Sequence, residues 1–168
     1  MRRAVTLLMV VLGSIWALGP SPVLAAEGVS AQLNSFEETP STLATPGTGV
    51  FNGVIASDGS LIAYQLFYFD VTSPVLFAHI HFGKPGESGG IAAFLCGGGG
   101  KGPCPASGGS FTGTITAADV QAIGGQNLAA GDLAGLIGAM TAGFTYVNVH
   151  TNNFQAGELR GQIKGAAR

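Results

Sequence analysis

The chain has 168 residues, 46% of them hydrophobic and only 10% charged, with a formal net charge of −2 when histidine is neutral. Seven basic residues against nine acidic ones leave no basic stripe to hold a phosphate backbone, so nucleic acid is not an expected partner. The length suits one domain with a real core.

Residues 1 to 25 read as an export signal: Met1-Arg2-Arg3 is the positive end, Ala4 to Leu18 is almost wholly apolar, and Val23-Leu24-Ala25 places small residues at a cleavage point after Ala25. The apolar run is about 15 residues, short of the roughly 20 that cross a bilayer, and Gly19-Pro20-Ser21-Pro22 breaks a helix at its end. A secreted or periplasmic protein is expected, with one domain over residues 26–168 and no membrane span after cleavage. Loss of Arg2 and Arg3 with the signal leaves five basic residues against nine acidic ones, a net charge of −4.

Beyond the signal, apolar residues recur at period two over short runs bounded by glycine and turn residues, which predicts strands. In chain order these are about Ser30–Phe36, Gly49–Ala56, Leu61–Asp70, Val75–Phe82, Ile91–Cys96, Ser110–Thr116, Phe144–Thr151 and Glu158–Lys164. The second and third are joined through Ser57-Asp58-Gly59-Ser60, a hairpin turn. The third, with Tyr64, Phe67, Tyr68 and Phe69, is apolar on both faces and predicts a covering layer. Cys96 and Cys104, the only cysteines, flank a glycine-rich loop and are expected to pair in an oxidising compartment. Between Thr116 and Gly143 the pattern turns helical: Thr116 and Asp132 stand at N-cap positions, and Leu133, Leu136, Ile137 and Met140 form a stripe, predicting two short helices. The whole predicts an all-β fold, a Greek-key β-sandwich of about eight strands with one short helical excursion, with a closed barrel as the alternative.

The chemistry-bearing residues concentrate in three strands. Strand side chains alternate, so His79 and His81 share one face, Asn148 and His150 share another, and Glu158, Arg160 and Gln162 a third. If these strands are neighbours, the faces merge into one polar patch. Three readings follow. His79, His81 and His150 can bind one copper or zinc ion with an open position, Glu158 orienting an imidazole from behind. Alternatively the imidazoles, Asn148 and a Glu158–Arg160 pair satisfy one another and fix strand register without a ligand. In the third, Arg160 holds an anion or small organic ligand.

No catalytic residue is assigned, because the chain has no His-Glu-x-x-His and no phosphate-binding glycine loop. Adjacent Glu37 and Glu38 are expected to point apart in a solvated turn.

Several of these segments together carry a family likeness. Glu37-Glu38-Thr39-Pro40, Gly49-x-x-x-Gly53, His79-Ile80-His81-x-Gly83, Tyr146-Val147-Asn148-Val149-His150-Thr151 and Gly157-Glu158-Leu159-Arg160-Gly161-Gln162-Ile163 resemble the CHRD (chordin-type) domain from about Val29 to Lys164. The His-x-His strand is also locally similar to the copper-site strand of Cu/Zn superoxide dismutase, but three histidines are too few for its bridged pair of metals. The CHRD resemblance implies a single-domain exported protein of the bacterial type; with no catalytic motif recognised, a binding or scaffolding module rather than an enzyme is the expected function. Its partner would be an extracellular protein or glycan.

Overall fold

The structure is a computed structural model and describes residues 26–165, so the expected signal segment and its cleavage point lie outside the described residues. The period-two segments form β1 (Glu27–Asn34), β2 (Thr48–Ile55), β3 (Ile62–Phe69), β4 (Val75–Phe82), β5 (Gly90–Cys96), β6 (Gly109–Ile115), β7 (Thr145–Thr151), β8 (Leu159–Gln162) and the short β9 (Lys164–Gly165). Among the described residues the one α-helix, α1 (Leu133–Thr141), precedes β7. The expected strands are all present, with ends displaced by a few residues at most, and the last is split between β8 and β9.

The strands pair antiparallel in the order β5-β4-β7-β8-β1-β2-β3-β6. The β2–β3 hairpin is in register from Thr48↔Phe69 to Ile55↔Ile62, and its turn places Gly59 at φ 70° while Asp58 accepts a bond from the Ser60 amide. Two four-stranded halves meet at a narrow seam, where Asn34 of β1 pairs with Arg160 of β8. The all-β expectation holds, and the two layers of the expected sandwich are here the halves of one nearly closed, barrel-like sheet. They enclose a single core to which β1, β2 and β3 contribute Leu33, Phe51 and Leu66, and β4, β7 and β8 contribute Ile80, Val147, Val149 and Leu159. The free edges β5 and β6 approach each other, and the hydroxyl of Tyr64 in β3 donates to the Leu95 carbonyl of β5 at 2.7 Å.

Two expectations need correction. β3 alternates cleanly: Ile62, Tyr64, Leu66 and Tyr68 are buried, while Phe67 and Phe69 lie on the outer face, 40% and 43% exposed, with ring centroids 5.3 Å apart. No covering layer is needed for a strand whose second apolar face stays in water. Of the two expected helices, the first is one 3-10 turn, Ala117–Asp119, closed by a capping box with Thr116. Its three-residue length follows from Val120, whose backbone is extended and whose side chain enters the core. The second is α1 as expected, with Asp132 accepting from the Gly135 amide and Leu133, Leu136 and Met140 buried.

Cys96 and Cys104 form a disulfide with Cα atoms 5.1 Å apart. Within its loop the backbone of Gly98 and Gly99 lies against the Phe94 ring, so closely that a Cβ at either would fall 2.5 or 2.7 Å from a ring carbon. The loop closes only eight residues, so the crosslink should add about 2–3 kcal/mol through the unfolded chain. Replacing both cysteines with serine should therefore lower the urea midpoint. An unchanged midpoint would show that the loop opens independently of the core.

Candidate metal centre

Strand pairing brings the polar faces together. β4 pairs with β7 so that Phe77 faces His150, His79 faces Asn148 and His81 faces Tyr146; β7 pairs with β8 so that Asn148 faces Arg160 and Tyr146 faces Gln162. Ala78, Ile80, Val147, Val149 and Leu159, of opposite parity, point into the core. The polar row therefore lies on the face turned away from the core, yet every residue of β7 is buried. Connections roof it: residues 35–46 bring Glu38 and Thr39, residues 83–89 bring the carbonyls of Gly83, Lys84, Glu87 and Gly89, and residues 152–157 bring that of Gln155.

The three histidines converge. Ring centroids are 4.4 Å apart for His79 and His81 and 4.4 Å for His79 and His150, and each ring offers a ligand atom within 4.8 Å of the others. The register of β4 against β5 shifts on either side of the His79–Ile80 pair, and such bulges re-aim side chains. Two rings are fixed from behind, Nδ1 of His81 on the Gly89 carbonyl at 2.8 Å and Nδ1 of His150 on the Gln155 carbonyl at 2.9 Å. A carbonyl only accepts, so both Nδ1 atoms carry the proton and both Nε2 atoms present a lone pair. Those Nε2 atoms, and Nδ1 of His79, are buried without any hydrogen-bond partner. Phe77 and Phe94 pack against His79, and Tyr146 stacks on His81 with an interplanar angle of 7°. Burial lowers the pKa of His79 to about 2 and of His150 to about 4, with neighbouring imidazoles adding to the effect and the Gln155 carbonyl opposing it at His150. All three rings are thus held as neutral bases, the form that ligates metals.

The other expected patch residues take different roles. Glu158 neither orients an imidazole nor pairs with Arg160. Fully buried, it accepts from the Thr72 amide and from the hydroxyls of Thr72 and Thr151, tying the chain before β4 to the end of β7. Arg160 is 2% exposed, and its guanidinium lies over the Tyr146 ring at 3.5 Å, donating to Thr39 Oγ1 and to the Lys84 and Glu87 carbonyls. Three of its bonds thus go to the protein itself, where the sequence suggested an anion. Gln162 donates to the Gly83 and Gly143 carbonyls. Asn148 donates to Leu159 and to Glu38.

Glu38 was expected in a solvated turn and is instead buried. The 3-10 turn Ser35–Glu37 leaves Glu37 in solvent and swings Glu38 onto Asn148, 110 residues along the chain. Gly157, at φ 134°, runs beneath the pair, where a Cβ would fall 2.8 Å from the Glu38 carboxylate. Burial pushes the Glu38 pKa up to about 7, against the opposing pull of Asn148 and Arg160. A raised acid contributes stability that is complete below its unfolded pKa near 4.5 and is lost as pH rises through 7. Glu38→Gln, which keeps the acceptor for Asn148, should match the wild type at pH 4 and be more stable at pH 8, by about 1–3 kcal/mol, in urea titrations at both pH values. Equal stability at pH 8 would show that the carboxyl ionises freely.

The CHRD domain model matches residues 29–163. No curated protein and no solved structure matches the chain. Among the described residues no helix is long and apolar enough to cross a membrane, and the disulfide fits a secreted protein. The match spans most of the chain, from β1 to Ile163, and takes in the three histidines, Asn148, Glu158 and Arg160: the chain belongs to the CHRD domain family.

Proposed function

We propose that this protein is an exported, non-catalytic CHRD binding module that holds one copper or zinc ion on His79, His81 and His150. The observation that carries the reading is the set of three buried ring nitrogens, one from each histidine, that have no partner in the protein. A buried nitrogen acceptor left unpaired costs about 1–3 kcal/mol, and three such atoms in one place form a site that a cation would complete. Ligand nitrogens around 2.0–2.1 Å from a metal sit roughly 3.4 Å apart, so the present spread closes with side-chain shifts of about 1 Å. The carbonyls behind His81 and His150 are the kind of outer support that ligating imidazoles use.

A second reading, a scaffold for an extracellular protein or glycan, is favoured by the exposed Phe67–Phe69 pair on the outer face of β3, remote in the sheet order from the histidine strands. The two readings separate experimentally, since Phe67→Ser/Phe69→Ser would abolish such binding and leave the histidines intact.

Elemental analysis and competition titration of the purified protein should give one metal ion per chain, with a rise in melting temperature on loading. His79→Ala/His81→Ala should bind none, and His150→Ala should lose most of the affinity and all of the metal-induced rise. If His150→Ala lowers the melting temperature equally with and without metal, the triad is a structural network and this reading fails.

A further inference from the structure

Resting on the metal reading above, we infer that the centre is selective for a monovalent d10 ion, cuprous copper, and that Arg160 enforces the choice through Tyr146. Three features of the site favour a low ionic charge. The donors are three neutral nitrogens; of the carboxylates buried on this face, Glu38 is bonded to Asn148 and Glu158 to Thr72 and Thr151. None of the three ligands would neutralise a dication, and burying a charge that its ligands do not compensate is costly.

A fixed positive charge also stands near the site. The guanidinium lies over the Tyr146 ring at 3.5 Å, and that ring is stacked on His81 at 4.6 Å between centroids. The guanidinium carbon is consequently no more than about 8 Å from the centre of the His81 ring, where at an effective dielectric near 20 each added unit of metal charge weakens binding by on the order of tenfold. No acidic side chain lies within ion-pair distance of Arg160 among the described residues, so its field is not cancelled at contact.

The third feature is the wall. A zinc ion on three histidines takes a fourth ligand, commonly water, which needs polar partners of its own. Phe77 and Phe94 border His79 and offer none. A cuprous ion accepts three nitrogens in a plane and needs no fourth ligand. Imidazole by itself does not choose between copper states, and divalent copper ordinarily outcompetes divalent zinc on nitrogen donors, so charge and the dry wall make the selection here.

The test is a set of competition titrations on the purified protein: Cu(I) and Ag(I) under anaerobic conditions against a chromophoric chelator, and Cu(II) and Zn(II) against chelators of known affinity. One Cu(I) per chain is expected, held at least about a hundredfold more tightly than Cu(II) or Zn(II), with Ag(I) behaving as Cu(I) does. Arg160→Gln should narrow the gap by about tenfold, through a gain in Cu(II) and Zn(II) affinity, while Arg160→Lys should retain it. Cu(II) or Zn(II) bound as tightly as Cu(I) would overturn the selectivity and leave the metal centre standing; no binding of any ion would remove both. A gap unchanged in folded Arg160→Gln would overturn the part assigned to Arg160. If that variant does not fold, the comparison of Ag(I) with Zn(II) on the wild type decides, because the two d10 ions differ in charge and neither changes oxidation state.

Discussion

The structure is organised by one constraint: β7 is buried on both faces, but only one of those faces is apolar. Val147 and Val149 enter the core, while Tyr146, Asn148 and His150 turn outward into a layer of loops instead of water. A buried polar row of that kind is stable only if its atoms find partners, since each unpaired group forfeits the hydrogen bonds it made with solvent. The roof over β7 meets that requirement nearly everywhere. Backbone carbonyls receive Arg160, Gln162, His81 and His150, and two threonines with one backbone amide serve Glu158.

Exceptions to such thorough pairing are informative. Three of the unpaired buried atoms are imidazole nitrogens, one from each ring of a cluster that can bring ligand atoms within 4.8 Å of one another, and the protein has already used the opposite nitrogen of two of those rings to fix their orientation. A purely structural histidine network would spend both nitrogens on protein partners. Here one side of each anchored ring is held and the other is left as a base, the arrangement on which the proposed metal site rests.

Much of this was legible in the sequence, because strand parity is a strong rule. His79 with His81 and Asn148 with His150 share faces for no reason beyond the two-residue repeat, and the one assumption needed, that β4, β7 and β8 are neighbours, is how the chain pairs. What parity could not supply was the roof. Glu38 meets Asn148 across 110 residues, and nothing in Glu37-Glu38-Thr39-Pro40 tells which carboxylate turns inward. The carbonyls of Gly89 and Gln155 have no side-chain signature at all. Likewise the same-face position of Glu158 and Arg160 suggested a pair, although each found better partners: for Glu158 hydroxyls in reach, for Arg160 an aromatic face and carbonyls. The apolar outer face of β3 was readable as a pattern, but Phe67 and Phe69 look the same in sequence whether covered or exposed.

Arg160 links the fold to the proposed chemistry. Its position in β8 is also the seam at which the two halves of the sheet join, opposite Asn34, and its donors gather Thr39 from one roof segment and the Lys84 and Glu87 carbonyls from another. A lysine there would carry the charge but lack the planar fork that reaches three acceptors while stacking on Tyr146. The same guanidinium that closes the roof thereby sets the field at His81, where burial first, and then this cation, disfavours protonation while the Gly89 carbonyl works against them. Structural and electrostatic roles are not separable in such a residue: the contacts that seal the polar face against water also keep the dielectric around the imidazoles low, and a low dielectric is what lets a single charge one aromatic ring away influence which ion can enter.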